Sequence, residues 1–383
     1  MRQLLFTGLA ILAATSPLHS ETPADSLFDA VAQRGIEHVY NLDFEAAGLE
    51  FQQMVQLKPR HPAGHFFPAM VLWWRIQIDI DNQGFDQEFL DSLDRVITIC
   101  DSMLDVDRDD VTAIFFKGGS IGFEGRLKFH RGDLLGAANA GRKALPLVQR
   151  ATELDPNNYD ILLGSGIYNY YAEVIPNEYP LLKPLLLFIP SGDKKKGIEQ
   201  LLLASEKATY ASIETTYFLV QIYYYYEKDF PRALELAAGL HHRFPNNILF
   251  HRYLGRCYIA TTNWPMADQV WADIVARVHQ GKRGYNTNAE REAEFYLGTD
   301  AMNMRAYEPA FQHFFRCDEL SRELDKEGPS GFMVMANLKV GMLYDLQGKR
   351  GLAERQYNKV LTMKEYKDSR TLAEQYLKNP YMQ

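Results

Sequence analysis

The sequence predicts an all-α fold, a solenoid of antiparallel helical hairpins, and three observations predict it. The first is a spacing that occurs four times. Gly255 and Ala267 stand twelve residues apart, with Trp264 three before the alanine and Trp271 four after it. Gly298 and Ala310 repeat this with Tyr307 and Phe314, Gly35 and Ala47 repeat it with Phe44 and Phe51, and Gly341, Ala353 and Tyr357 make a fourth copy. The second is punctuation: Leu154-Asp155-Pro156-Asn157-Asn158 and Phe244-Pro245-Asn246-Asn247 place a proline that stops one helix before an asparagine that caps the next. The third is the interval, 34 residues from Ala233 to Ala267 and then 43 between the units at 255, 298 and 341. A single hairpin cannot bury its apolar face alone, so small residues set against bulky rings at fixed intervals call for stacking.

Composition fits such an array. The chain has 383 residues, 46% hydrophobic and 23% charged, which excludes disorder and suffices for one large array or two domains. A net charge of -8 and a pI near 5.7 argue against a nucleic-acid-binding surface, because a polyanion is bound by basic residues that displace counterions.

Residues 1–20 form a unit of their own. A basic start at Arg2, an apolar run from Leu4 to Ala14 and a polar exit from Ser16 to Ser20 give the layout of a secretory signal peptide, with cleavage expected near Ser20. An uncleaved anchor is the alternative. The expected destination is across the inner membrane, periplasmic or envelope-associated. No cysteine follows the apolar run, so a lipid-modified N-terminus is not indicated. No later run approaches the roughly 18 apolar residues of a membrane span, so no transmembrane segment is expected after the signal peptide. Cys100, Cys257 and Cys317 sit in helical apolar patterns and read as buried small hydrophobes, with a Cys257-Cys317 bridge as the alternative. No CxxC occurs, which leaves neither a redox motif nor a structural zinc site.

Along the chain, Leu27, Phe28, Val31, Gly35 and Val39 give one helical face, Asn41-Leu42-Asp43 turns, and Phe44 to Leu57 returns. An aromatic helix over 63–80 pairs with Phe85 to Leu104. Within 110–130, Gly118, Gly122 and Gly125 fall on one helical face; each interior glycine costs about 1 kcal/mol, so close approach of the next helix is the expected compensation. Helices over 134–154, Tyr159 to Val174 and Lys194 to Ala208 follow. Between the last two, Pro176, Pro180, Pro184 and Pro190 break the apolar stretch 175–193. This insertion either fills the inside of the superhelix or lies exposed as a partner or membrane-surface contact through Leu181, Leu182, Leu185, Leu186, Leu187 and Phe188, with Lys183 and Lys194 to Lys196 alongside. From 213 the hairpins are regular, and 369–377 reads as a capping helix with a polar outer face.

At Leu254-Gly255, Tyr258, Trp264, Ala267 and Trp271, and at their counterparts around Gly35, Phe230-Ala233, Gly298 and Gly341, the chain resembles the tetratricopeptide repeat family. Residues 63–208 depart from that pattern through longer helices and the insertion. This middle region, with Gly122-Phe123-Glu124-Gly125 and Gly192-Asp193-Lys194-Lys195, more distantly resembles the eukaryotic inclusion-body-clearance repeat proteins. The resemblance implies a right-handed superhelix that binds a partner protein or peptide in a concave groove and catalyses nothing. The organisation expected is a signal peptide (1–20), long-helix repeats (24–210) carrying the insertion, regular repeats (211–368), and a cap with a tail (369–383).

No motif carries catalysis. His61 with His65, and His241-His242, lack the glutamate of an HExxH site, and His241-His242 read as a solvent-facing helix end. Asp105, Asp107, Asp109 and Asp110 are spaced like a calcium loop, but its sixth place is Asp110 and its twelfth Phe116, so the tight turn and bidentate ligand are missing. No strand is expected before the glycines at 118–125 and no GKS or GKT follows them, so a P-loop is not indicated, and neither a cofactor nor a metal is expected. Inward positions of the regular repeats are Tyr225, Tyr226, Arg252, Arg256, Thr299 and Asn303. Rings beside two arginines one turn apart suit a carboxylate, although Arg252 and Arg256 are equally placed to pair with Glu292.

Overall fold

The computed structural model describes residues 23–178 and 190–382; among these the regular structure is helical, with no strand. The hairpins are α1 (Pro23–Tyr40) with α2 (Phe44–Leu57), α3 (Ala63–Ile78) with α4 (Asp86–Leu104), α5 (Val111–His130) with α6 (Leu134–Leu154), and α7 (Ile161–Glu178) with α8 (Lys194–Lys207). Next come α9 (Ser212–Gln221), continued by a π-turn (Ile222–Glu227), with α10 (Phe230–Arg243), and α11 (Ile248–Ala260) with α12 (Trp264–His279). Then α13 (Thr287–Asn303) pairs with α14 (Tyr307–Leu324), α15 (Gly331–Leu346) with α16 (Arg350–Leu361), and α17 (Ser369–Lys378) closes the stack. Each helix packs on the one before it and the one after it, the contact pattern of a solenoid.

The repeated spacing has one physical cause. A Cβ built on Gly255 would stand 2.6 Å from the Trp271 ring, one on Gly298 2.9 Å from Phe314, and one on Gly341 2.5 Å from Tyr357; Phe51 fills the same space at Gly35. The ring of the second helix occupies the room that a side chain on the first would need. Turn residues behave as their chemistry dictates: Asp43, Asp110, Asp229, Asn247 and Asn263 each accept a backbone N–H of the helix they precede. Cys100, Cys257 and Cys317 are buried free thiols.

Some sequence expectations need correction. Gly118 and Gly125 do face α6, at Leu147 and Ala140, but Gly122 has open space beside it, because the buried Ile121 takes the central place between Gly118 and Gly125. Pro176 does not end its helix: it lies in the last described turn of α7, and the bond it gives up is the single one to the carbonyl four residues back. His241 is not a solvated helix end, because its ring stacks on the buried His251 at 4.2 Å.

The array also closes on itself. Tyr40 of α1 packs against Trp74 of α3 at 4.9 Å, Phe244 at 5.6 Å and Phe250 of α11 at 6.2 Å, and Trp74 meets Tyr217 of α9 and Phe250, each at 5.7 Å. Polar bonds pin the same seam. The Tyr40 hydroxyl donates to Glu214 at 3.1 Å and Arg126 of α5 donates to the other carboxylate oxygen at 2.7 Å. Asn247 donates to the Tyr40 carbonyl at 2.9 Å, Arg283 to the Leu42 carbonyl at 2.9 Å and Asn286 to the Ile78 carbonyl at 3.1 Å. A concave face open along the whole array is therefore not what forms: over α1, α3, α9 and α11 the inside is filled with the chain's own aromatic rings.

Candidate partner-binding face

Beyond this closed turn the first helices of successive hairpins still lie side by side. Glu292 of α13 is reached from α11, and Phe295 of α13 meets Phe332 of α15 at 5.6 Å. The 43-residue interval aligns them, so that Tyr253, Tyr296 and Lys339 take one place on successive helices, and Arg256, Thr299 and Met342 the next.

The π-turn shapes one end of this face. Six residues, Ile222 to Glu227, widen the helix before Lys228 ends it in the left-handed region at φ 55°. Tyr223 turns inward, Tyr224 and Tyr226 are half-buried, and Tyr225 is 43% exposed. Tyr225 packs edge-on to Tyr224 at 5.0 Å and to Tyr253 at 6.2 Å.

Two arginines stand beside these rings. Arg256 donates to the Tyr225 hydroxyl at 3.1 Å and lies over the Tyr253 ring at 5.3 Å. Arg252 and Arg256 both donate to Glu292, at 2.7 Å and 2.5 Å, and Glu292 is 1% exposed. Burial alone would raise the Glu292 carboxyl, but the two guanidiniums outweigh it and hold the pKa down at about 2. Arg256, which burial would discharge, is kept charged by Glu292. Two guanidiniums on one carboxylate leave a positive surplus at this end of the face.

The inward positions named from sequence divide accordingly. Tyr225, Arg252 and Arg256 converge around Glu292. Tyr226 turns to Tyr171 at 5.5 Å and Tyr170 at 6.0 Å instead. The Thr299 hydroxyl donates to the Phe295 carbonyl at 2.9 Å, and Asn303 is exposed one turn farther on. Tyr253, Tyr296 and Lys339 belong to the same face and escape the motif, although the 43-residue register finds them. Leu181, Leu182, Leu185, Leu186, Leu187 and Phe188 lie outside the described residues. Their flank is fixed: Tyr168 donates to the Pro190 carbonyl at 2.5 Å, and Tyr170 and Lys194 both bond Glu227, at 2.6 Å and 2.8 Å.

Elsewhere, a cavity of about 350 Å³ is lined by Asp29, Asp155, Asp160, Tyr210 and neighbours. Asp160 is already engaged there by the backbone N–H groups of Thr209, Tyr210 and Ala211, at 3.3, 2.8 and 2.8 Å. Asp29 accepts the Tyr210 hydroxyl. Among the described residues no three His, Cys, Asp or Glu side chains are grouped to hold a metal, and no helix is long and apolar enough to cross a membrane.

No protein-family model matches the chain, and no curated protein does. Solved structures of helical-repeat proteins do match. The human IFIT1 dimer with PPP-AAAA is 14% identical over 94% of this chain and 86% of that chain, at a TM-score of 0.41. The C-terminal part of a TPR repeat-containing protein from Cytophaga hutchinsonii is 15% identical over 76% of this chain and 95% of that chain, at a TM-score of 0.36. Likenesses of this size carry nothing about what this chain binds. The tetratricopeptide-like character rests on the hairpins themselves and on the ring-into-glycine contact that repeats along them.

Proposed function

We propose that the protein is a non-catalytic scaffold that holds a partner protein or peptide on the inner face of α11, α13 and α15. One observation carries this reading: the first turn buries its inner aromatic residues in one another, whereas Tyr225, Tyr296, Thr299, Asn303 and Met342 stay partly or fully accessible on the later helices. Accessible rings beside a surplus of positive charge are what anchor an extended chain. Tyr225 is the handle for a test. Removing either arginine would leave the buried Glu292 short of a partner, whereas Tyr225→Ala spares the core. Crosslinking in the native cell followed by capture should show a partner band that Tyr225→Ala with Asn303→Ala weakens at least tenfold at unchanged helicity. Undiminished capture overturns the reading.

The site of action proposed is the periplasm or cell envelope, supported by the basic, apolar, polar order of residues 1–20. Fractionation with intact-mass measurement checks it; a cytoplasmic chain that retains Met1 refutes it. A second reading places the contact in the apolar insertion 175–193, as a part of envelope or outer-membrane assembly. It is supported by the apolar run Leu181 to Ile189 with Lys183 and Lys194 to Lys196 alongside. Deleting Leu181 to Ile189 should then release the protein from the membrane fraction.

A further inference from the structure

We propose that the inner face of α11, α13 and α15 selects an extended partner segment by its acidic side chains, and that Lys339 anchors one of them. The inference rests on the reading of this face as the partner-binding surface and adds the chemistry of the partner.

Placement comes first. On α15, Val334, Leu338 and Gly341 are buried on one side and Ala336, Val340 and Leu343 on the other, while Phe332, Met335, Lys339, Met342 and Leu346 run between them and are only partly buried. Lys339 sits mid-stripe, where α13 has Tyr296 and α11 has Tyr253. Its partners come next. Every other Lys or Arg of these three helices has a carboxylate: Arg252 and Arg256 hold Glu292, and Arg291 holds Asp325 at 2.7 Å. Lys339 alone forms no hydrogen bond or ion pair among the described residues. Burial among apolar side chains lowers its pKa, with no neighbouring charge contributing. A methionine there would pack as well without desolvating a charge, so the free protein carries a cost that an incoming carboxylate relieves.

Charge balance points the same way. Three cations, Arg252, Arg256 and Lys339, stand on this stripe, and Glu292 offsets only the first two, so the stripe is cationic on a chain whose net charge is -8. Packed helices lie about 10 Å apart, which puts Lys339 roughly 20 Å from Arg256. An extended chain covers that distance in about six residues. Tyr296 and Thr299 lie between, as a ring and a polar neighbour for the intervening residues.

The test uses the full chain and a twelve-residue peptide, acetylated and amidated so that it carries no terminal charge. Its two glutamates are six residues apart in a Gly, Ser and Tyr background, and a control carries glutamine in their place. Fluorescence anisotropy should show the glutamate peptide binding at least tenfold more tightly than the control. Lys339→Met should remove that preference while keeping or raising thermal stability, and Lys339→Arg should retain it. In ¹³Cε-lysine spectra the Lys339 pKa should rise on saturation with the glutamate peptide. No binding of the glutamate peptide at millimolar concentration, or equal binding by Lys339→Met, overturns the inference. Cellular capture separates the two readings. If Tyr225→Ala with Asn303→Ala loses the partner band and Lys339→Met keeps it, the face binds a partner and the acidic anchor is wrong; if both keep it, both readings fall.

Discussion

In the first turn, Gly35 receives the Phe51 ring, and the same helix ends in Tyr40, buried against Trp74, Phe244 and Phe250. In the last hairpins Gly341 receives the Tyr357 ring in the same manner, yet the inner stripe of Met335, Lys339 and Met342 remains partly open. The two regions use one hairpin signature and differ in what they do with the inner face. Ring and glycine set how two helices of a hairpin touch. Whether successive hairpins then wrap onto one another depends on the residues that the signature leaves free. Large aromatic residues at Tyr40, Trp74, Tyr217 and Phe250 close the turn, and Arg283 and Asn286 fasten the linker after α12 to the carbonyls of Leu42 and Ile78.

The largest expected effect comes from opening the closed region. Trp74 is fully buried, and Trp74→Ala should destabilise the protein by about 3–5 kcal/mol in urea unfolding. Hydrogen exchange should show lost protection in α1, α3, α9 and α11, with α15 to α17 keeping theirs. Uniform loss along the chain would mean that the turn and the later hairpins are one cooperative unit, and the contrast between them would be one of shape only.

Next is the junction. Glu292 joins α11 to α13, and with it the closed turn to the open hairpins. Its folded pKa of about 2 lies below the ordinary glutamate value near 4.5, so the stability it contributes is fully present above about pH 4.5 and disappears as pH falls toward 2. The size is at most about 3 kcal/mol. Glu292→Gln should lower the melting temperature at pH 7 and flatten its dependence between pH 5 and 2 relative to wild type. A wild-type profile no steeper than that of the variant would show that this carboxylate does not hold the junction.

Much of this architecture is legible in the sequence. Local rules suffice for Gly255 with Trp271, for the Asp and Asn caps, and for the turn at Leu42, because each involves residues within one hairpin. The π-turn at Ile222–Glu227 is not legible, since four consecutive tyrosines fit an ordinary helix equally well. Closure is not legible either. Tyr40 and Glu214 are 174 residues apart, and nothing at either end names the other. For the candidate face, Tyr225, Arg252 and Arg256 emerge from helical register, and Glu292 as their counter-ion is a matter of one further step in it. Lys339 escapes because its distinguishing property is the lack of a carboxylate neighbour, which only packing reveals.

The smallest effects test whether a glycine in this chain is there for a ring or for nothing that packing can show. Gly255→Ala puts a Cβ 2.6 Å from the Trp271 ring, whose fully buried indole is stacked on Tyr296 at 4.9 Å. Overpacking of this kind costs about 1–3 kcal/mol, read from chemical denaturation. Gly122→Ala places the same methyl group in open space on an α-helix of ordinary handedness, where it removes unfolded-chain entropy and should stabilise by up to about 1 kcal/mol. Opposite signs for two glycine-to-alanine changes, both in helix interiors, would tie the hairpin signature to the ring contact rather than to backbone freedom. If Gly122→Ala instead destabilises the fold as much as Gly255→Ala does, the space beside Gly122 is occupied in solution, and the middle hairpin packs more tightly than α5 and α6 alone require.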